Sequence, residues 1–306
     1  MEVKVDRAGM LTTVQDLGRP GHRSAGVPLS GAMDAFALRV ANLLVGNPDN
    51  TAGLEFTLTG SELIFARDTL VATGGGDFGI PRWQPVRVRA GAPVRFTGAR
   101  SGCRGYLAVA GGFTVPRVLG SCSTYLRGEF GGWQGRALRD GDVLEAPDSQ
   151  RSAIGQWRLD ERILPPYSAA PELRVVRGAH ADEFGSGLFS TEFAVTPQSD
   201  RMGVRLTGAA LVRTNGGEFR SAPVVPGTIQ VPPDGQPIIL MADAQTLGGY
   251  PQAAHVITVD LPLVAQLRPG DAARFREVPL AEAHELVLAR ERGLAMLREG
   301  LARKFT

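Results

Sequence analysis

The sequence contains few of the residues that supply nucleophiles, metal ligands or carrier attachment sites. Its only lysines, Lys4 and Lys304, lie near the two ends of the chain, so any mechanism that needs a lysine depends on one of them. The two cysteines, Cys103 and Cys122, are too few and too far apart for a CxxC pair or a zinc set, which indicates free thiols in a reducing compartment. No metal ligands are evident, because the four histidines occur singly, at His22, His180, His255 and His284.

Several motifs are also missing. There is no GxxxxGK[ST] phosphate loop, no HExxH zinc motif and no GxSxG nucleophile turn. The glycine run TGGGDFG at 73–79 has no lysine and predicts a turn between strands. A net charge of +2 without a basic run argues against nucleic acid or a membrane surface as partner. Since there is no signal pattern and no apolar run of about 18 residues, we expect a cytoplasmic protein.

Glycine and proline are abundant, with 39 and 21 residues, which favours tight turns and short strands over long helices. Short alternating segments bounded by glycines recur along the chain, so we predict a mainly β fold of the barrel or sandwich kind. The stretch GLEFTLTGSELIFA at 53–66 predicts a hairpin hinged at Thr59-Gly60.

Composition divides the chain into three parts. Residues 147–170 contain few periodic apolar positions and separate a β domain at 1–150 from another at 171–276. LTGSEL and LRDGD in the first domain are echoed in the same order by LTGAAL and LRPGD in the second, which indicates two related halves. Residues 277–306 predict a C-terminal helix that packs across the barrel or contacts a partner. Its apolar stripe consists of Leu280, Ala283, Val287, Leu294, Leu297 and Leu301.

Glycine and proline are frequent in the stretch DLGRPGHRSAGVPLSGAMD at 16–34, where they shape a loop that carries many polar groups. It leads into an amphipathic segment that predicts a helix to about Val45, ended by Gly46-Asn47-Pro48. Ser30 or Asp34 is expected to cap this helix, and the helix N-terminus would suit an anion.

Three further loops combine polar side chains with glycines. STYLRGEFGGWQGR at 123–136 places Arg127 among glycines and aromatic residues, where its planar guanidinium group could bind a carboxylate. QSDRMGVR at 198–205 carries charges of both signs into a strand, and ADAQTLGGYP at 242–251 carries amide and hydroxyl groups. Together the four loops predict one polar cleft for a small amide or carboxylate.

These stretches, the last extended to GTIQVPPDGQPIILMADAQTLGGYP at 227–251, resemble the C subunit of the bacterial ATP-dependent 5-oxoprolinases. That family, also called KipA-like, is similar to half of the carboxyltransferase domain of urea carboxylase, and the resemblance covers about residues 3–276. It implies two cyclophilin-like β-barrel halves with one internal helix and a C-terminal helix. It also implies a cyclic amide hydrolase that opens 5-oxoproline to glutamate together with the A subunit of the complex and its KipI-like B subunit. The binding of ATP would be shared with the partner subunit, and this chain would be inactive without that subunit.

By the same resemblance, the residues that match the family's motifs line the cleft. The catalytic candidates are Asp16, Asp200 and Tyr250. The substrate-binding candidates are Arg19, Ser30, Asp34, Arg127, Arg201, Gln230, Gln245 and Thr246. Of these, Arg127 or Arg201 is expected to hold the substrate carboxylate.

Two alternative functions stay open. One is the carboxyltransferase component of a urea carboxylase-like, biotin-dependent system, which would take carboxyl groups from a separate carrier. No biotin is expected on this chain, because neither lysine has the Met-Lys-Met setting of a biotin attachment site. The other is a KipA-like regulatory binding protein that acts on a signalling kinase. The older name of the family, allophanate hydrolase subunit 2, is discounted because the amidase type needs a serine–lysine pair.

Overall fold

The computed structural model describes residues 1–149, 157–214 and 220–305, so residues 150–156 of the predicted linker lie outside the described residues. The described chain is mainly β, as predicted, with 18 strands and four α-helices. It divides into two compact units: the described residues within 1–19, 30–164 and 292–305 form the first, and those within 20–29 and 165–291 form the second.

Nine strands of the first unit form two antiparallel sheets. They are β1 (Glu2–Arg7), β2 (Leu11–Gln15), β3 (Gly53–Thr57), β4 (Glu62–Phe65), β5 (Thr69–Asp77), β6 (Pro85–Val88), β7 (Pro93–Arg95), β8 (Ser101–Val109) and β9 (Val143–Glu145). One sheet has the strand order β7-β4-β1-β9 and the other β2-β3-β8-β5-β6. Side chains of both sheets, such as Val5, Phe56 and Leu107, contribute to one apolar core.

The predicted hairpin over 53–66 is wrong. β3 pairs with β2 and β8, whereas β4 pairs with β1 and β7, so the two strands belong to different sheets. Between them Leu58 has a φ of 57°, and an added Cβ at Gly60 would lie 2.2 Å from the Cβ of Phe96. The alternation therefore identified the strands correctly, but this tightly packed turn redirects the chain into the second sheet.

The glycine run at 73–79 is not a simple turn either. β5 extends through Asp77, so most of the run lies in a strand that pairs with β8. A Cβ added at Gly74 would lie 2.8 Å from the Trp83 ring, which shows that the glycine permits close packing.

Helix α1 (Ala35–Leu44) follows the loop at 16–34. Of the two predicted caps, Asp34 is the N-cap: its carboxylate accepts a hydrogen bond from the backbone N–H of Ala37 at 2.9 Å. The helix ends at Leu44 with Val45 as its C-cap, and Gly46 follows with a φ of 73°, as the glycine–asparagine–proline signal predicted.

The second unit contains a closed seven-stranded barrel. The described strands of this unit are β10 (Glu172–Arg177), β11 (Phe193–Val195), β12 (Gly203–Thr207), β13 (Ala222–Pro223), β14 (Thr228–Gln230), β15 (Ile238–Leu240), β16 (Leu247–Gly248), β17 (Gln252–Val256) and β18 (Ala272–Glu277). The barrel order is β10-β17-β14-β15-β12-β11-β18, and β13 pairs with β16 outside it. Buried residues such as Val204, Leu206 and Ile239 alternate with outward residues along the strands.

Three further helices lie after residue 180. Two of them, α2 (Gly187–Ser190) and α3 (Leu261–Ala265), are short. The predicted C-terminal helix is α4 (Leu280–Ala302), where Ala283 joins the apolar cluster of Ile257 and Val278. Leu280 was expected in its apolar stripe but is 59% exposed. Among the described helices, none is long and apolar enough to cross a membrane.

The echoed segments LRDGD and LRPGD form the same turn. In each, the aspartate N–H donates to the arginine carbonyl: Asp142 to Arg139 at 3.1 Å and Asp271 to Arg268 at 2.9 Å. In each, the arginine N–H also donates to the aspartate carboxylate. β9 follows the first turn and β18 the second, so the repeated sequence encodes a repeated local structure.

Candidate active site

A cleft of about 740 Å³ lies in the second unit, on the outer face of adjacent barrel strands. Alternation on β12 turns Val204 and Leu206 inward and leaves Arg205 exposed. Arg205 is opposite Ile238 on β15, and Ile238 is opposite Gln230 on β14. Since directly opposed residues project from the same face of a sheet, these three side chains form one row on the cleft floor.

Four of the sequence-predicted site residues line this cleft. They are Asp200, Gln230, Gln245 and Tyr250. Two of them belong to the loop at 242–251, one to β14 and one to the loop before β12, so segments distant in sequence meet here. A concave site that combines apolar side chains such as Ile238 with several polar groups is typical of a small-molecule site.

The amide groups of the cleft are connected to each other. The Gln230 Nε2 donates to the carbonyl of Tyr250 at 3.1 Å, and the Gln245 Nε2 lies 3.5 Å from the Gln230 Oε1. Gln230 is 1% exposed, and a Cβ added at Gly248 would lie 2.4 Å from its Nε2. The absence of a side chain at Gly248 therefore provides the space that the Gln230 amide occupies. Gln245 and Tyr250, in contrast, are exposed.

Asp200 and Arg201 are neighbours in sequence with different surroundings. Asp200 is exposed at the cleft, and its Oδ1 accepts hydrogen bonds from the N–H groups of Met202 and Gly203. Arg201 is 4% exposed, and its fork binds Asp243 at 2.8 Å and 3.1 Å. The guanidinium predicted to hold a substrate carboxylate thus already has a carboxylate partner within the chain. Thr246 is bound through its carbonyl, which accepts from Val224 N–H.

In the first unit, Asp16 is fully buried among hydrogen-bond donors. Its Oδ1 accepts from Gly18 N–H and from the hydroxyls of Ser121 and Ser123, and its Oδ2 accepts from Cys122 N–H at 2.7 Å. Burial and the charge of Asp16 raise the pKa of the Cys122 thiol. Asp16 therefore fastens the loop at 16–34 to the segment at 121–123.

Arg19 is also fully buried and belongs to the same arrangement. Its Nη2 donates to the Ser123 carbonyl, and its guanidinium carbon lies 4.9 Å from the centroid of the Phe130 ring. This is a cation–π contact with the loop at 123–136. Arg127, on a short 3₁₀ helix of that loop, is exposed.

Ser30 and Asp34 lie on the same loop as Asp16. Ser30 has a φ of 55° and is 2% exposed, and no described group hydrogen-bonds its hydroxyl. A strained backbone with a buried, unpartnered hydroxyl is unusual outside functional sites. Asp34 N–H donates to the Tyr106 hydroxyl at 2.8 Å, and that hydroxyl donates to Glu55 at 2.7 Å. Burial, followed by the charges of Glu55 and Asp34, raises the pKa of Tyr106 well above its usual value.

The sequence candidates omitted several of these residues. Glu55, Tyr106, Asp243 and Arg205 were not among them. An acidic residue between Leu54 and Phe56 in a buried strand was a usable signal for Glu55, since buried carboxylates need partners. Alternation from Val204 to Leu206 was a similar signal for Arg205. Within the described residues, no group of three or more histidine, cysteine or acidic side chains could hold a metal.

Comparison with known proteins agrees with this architecture. Residues 25–277 match the family model of the carboxyltransferase domain, subdomains A and B. The chain is 41% identical over 295 residues to the C subunit of 5-oxoprolinase from Escherichia coli, covering 92% of this chain and 93% of the relative. It is 39% identical over 287 residues to the corresponding C subunit from Haemophilus influenzae, covering 90% of each.

A solved structure extends the comparison to a larger enzyme. The K. lactis urea amidolyase structure matches 100% of this chain with a TM-score of 0.89 and 31% identity. The chain spans only 21% of that protein, so it corresponds to one part of it. With its family model, full-length relatives and fold in agreement, this chain belongs to the carboxyltransferase domain family, subdomains A and B, as the resemblance to the C subunit of 5-oxoprolinase implied.

Proposed function

We propose that this chain is the C subunit of an ATP-dependent 5-oxoprolinase that opens 5-oxo-L-proline to L-glutamate together with the A and B subunits. The observation that carries the proposal is the alignment with the E. coli 5-oxoprolinase C subunit, which covers 92% of this chain and 93% of that protein at 41% identity. Agreement over nearly the whole of both chains argues for the same role in a complex. We further propose that this chain works in the cytoplasm and is inactive without a KipI-like B subunit.

The cleft of the second unit supports a lactam acid as substrate. Primary amide side chains such as Gln245 both donate and accept hydrogen bonds, as a lactam N–H and C=O require. Asp200 and Tyr250 line the same cleft, and we propose that they are the groups nearest the scissile C–N bond. Gln230 positions Gln245, and Thr246 holds the loop that carries it.

We propose a supporting role for the candidates of the first unit. Asp16 and Arg19 both bind the segment at 121–130, so they hold the loop at 123–136 in its shape. We propose that Arg127, which is exposed, contacts the partner protein, and that Ser30, which is buried, helps to shape the loop that carries it. Asp34 caps α1 and orients that helix.

ATP is proposed to bind mainly on a partner protein of the complex. A phosphate loop needs a glycine-rich turn before a helix, with a lysine to reach the phosphates. The glycine run at 73–79 lies largely in β5 and has no lysine, so it does not fit this role. ATP hydrolysis would drive the opening, while this chain binds and orients the lactam.

Reconstitution tests the proposal. The chain is co-expressed with the A and B subunits, and glutamate formation is measured with and without ATP. We expect ATP-dependent turnover in the full mixture and none when this chain is omitted. Absence of turnover in the full mixture would contradict the proposed function.

A second function is favoured by one observation, the TM-score of 0.89 to K. lactis urea amidolyase. On this alternative the chain is a carboxyltransferase component that takes a carboxyl group from biotin on a separate carrier. Inhibition of the reaction by avidin would support it, and avidin-insensitive turnover of 5-oxoproline would exclude it.

A further inference from the structure

We infer that Arg205 binds the carboxylate of the substrate, and that the row of Arg205, Ile238 and Gln230 selects small lactam acids. Arg205 would bind the carboxylate, Ile238 would cover the ring body, and Gln245, held by Gln230 at the far end of the row, would bind the lactam amide. The inference rests on the proposed function, because it assigns how the same cleft recognises its substrate.

The register of the barrel strands fixes the order of the row. Arg205 pairs with Ile238 across β12 and β15, and Ile238 pairs with Gln230 across β15 and β14. Neighbouring strands are about 4.8 Å apart, so roughly 10 Å separates the backbones of Arg205 and Gln230. Two long polar side chains at that separation leave a gap, with Ile238 beneath it, that suits a small ring.

Arg205 is the positively charged side chain of the cleft that can pair with an anionic ligand. In the part of the chain that the structure describes, three charged side chains line the cleft: Arg205, Asp200 and Asp234. Each of the two carboxylates accepts backbone N–H bonds from its own turn. Among the described residues, no hydrogen bond or ion pair reaches the Arg205 guanidinium. Arg201, in contrast, is buried against Asp243, so of these two neighbouring arginines it is Arg205, on β12, that faces the cleft.

The opposite end of the row presents an amide. Gln230 is held by the Tyr250 carbonyl and contacts Gln245 at 3.5 Å. Gln245 is exposed and keeps an acceptor and a donor for a lactam. Ile238 is half-buried between the two ends, where it can cover the methylene carbons of the ring. A planar guanidinium pairs with a carboxylate through two parallel hydrogen bonds, which adds selectivity for an acid.

Two ligands that differ only in the carboxylate test the inference. Binding of 5-oxoproline and of 2-pyrrolidone, the lactam without the carboxylate, is measured by calorimetry on the full-length chain in complex with its partners and without ATP. We expect Arg205→Gln to weaken 5-oxoproline binding roughly 10- to 100-fold and to leave 2-pyrrolidone binding unchanged. Arg205→Lys should restore part of the loss, because it keeps the charge without the fork. Gln245→Ala should weaken both ligands alike.

Arg89→Gln is the matched control, since it removes an exposed arginine of the first unit that does not line the cleft. The inference is overturned if Arg205→Gln binds 5-oxoproline as wild type does, if it weakens both ligands equally, or if neither ligand binds the wild-type protein. Carboxylate-selective binding that depends on Arg205, in a wild-type complex without ATP-dependent turnover, would support the inference while contradicting the proposed function alone.

Discussion

The buried ion pair of Arg201 and Asp243 gives the sharpest test of how the cleft is built. Both side chains are 5% exposed and share two hydrogen bonds. Removing one member of such a pair leaves an uncompensated buried charge, which costs about 3–5 kcal/mol. We therefore expect Arg201→Met to lower the free energy of unfolding by about that amount. Replacing both members by apolar residues, as in Arg201→Met with Asp243→Leu, should cost less than the sum of the single changes.

Urea denaturation of the two single variants, the double variant and wild type measures these free energies in one thermodynamic cycle. A coupling energy of at least about 2 kcal/mol is expected for residues in direct contact. The competing hypothesis, that Arg201 holds the substrate carboxylate, predicts a raised KM for 5-oxoproline with little loss of stability. An Arg201→Met variant within about 1 kcal/mol of wild type, but with KM raised about tenfold, would refute our reasoning.

Three further predictions concern local structure. Asp16→Asn should lower the free energy of unfolding by about 2–3 kcal/mol in urea denaturation, because an amide nitrogen would face donors that the carboxylate now accepts. Gly131→Ala should lower the free energy of unfolding by at least about 3 kcal/mol, since the φ of Gly131 is 73° and the new Cβ would lie 2.1 Å from the Ser123 carbonyl oxygen. Its control is Gly91→Ala, which has a similar φ of 71° but open space around the new Cβ and should lower the free energy of unfolding by only about 1–2 kcal/mol. Burial lowers the pKa of His255, so wild type should lose stability relative to His255→Gln as the pH falls below about 6.5, where the unfolded chain gains a proton that the folded state resists.

Each of these has a contradicting outcome. Equal free energies of unfolding for Asp16→Asn and wild type would show that the four donors do not need the charge. Equal losses for the two glycine variants would mean that φ alone, and not the contact with Ser123, decides the cost. For His255, a stability difference from the glutamine variant that stays constant between about pH 7.5 and 5.5 would contradict burial of the neutral ring.

Local signals in the sequence were sufficient where neighbouring residues decide the structure. Helix α1 begins after Asp34 and ends before Gly46 because a cap and a left-handed glycine act over three or four residues. The turn shared by LRDGD and LRPGD was visible as a repeated sequence for the same reason. The pairing of β3 and β4 with different sheets was not predictable, because strand alternation contains no information about the partner.

The site shows the same division. Glycine-rich polar loops identified Asp200, Gln245 and Tyr250, which line one cleft together with Gln230. Alternation along β12 indicated that Arg205 points outward, but nothing in the sequence showed that Arg201, four residues earlier, is neutralised by a buried partner. Only the fold places Asp243, 42 residues later, against the first of them and leaves the second facing the cleft.

The mainly β class, the capped internal helix, the C-terminal helix and the family were all predictable from the sequence, because propensity, capping and long ordered motifs are local properties of the chain. The pairing of the strands, the neutralisation of one arginine by a buried partner and the row of residues across three strands became visible only in the folded chain. Those outcomes depend on contacts between segments far apart in sequence, and a charge acquires its role only when folding determines what lies opposite it.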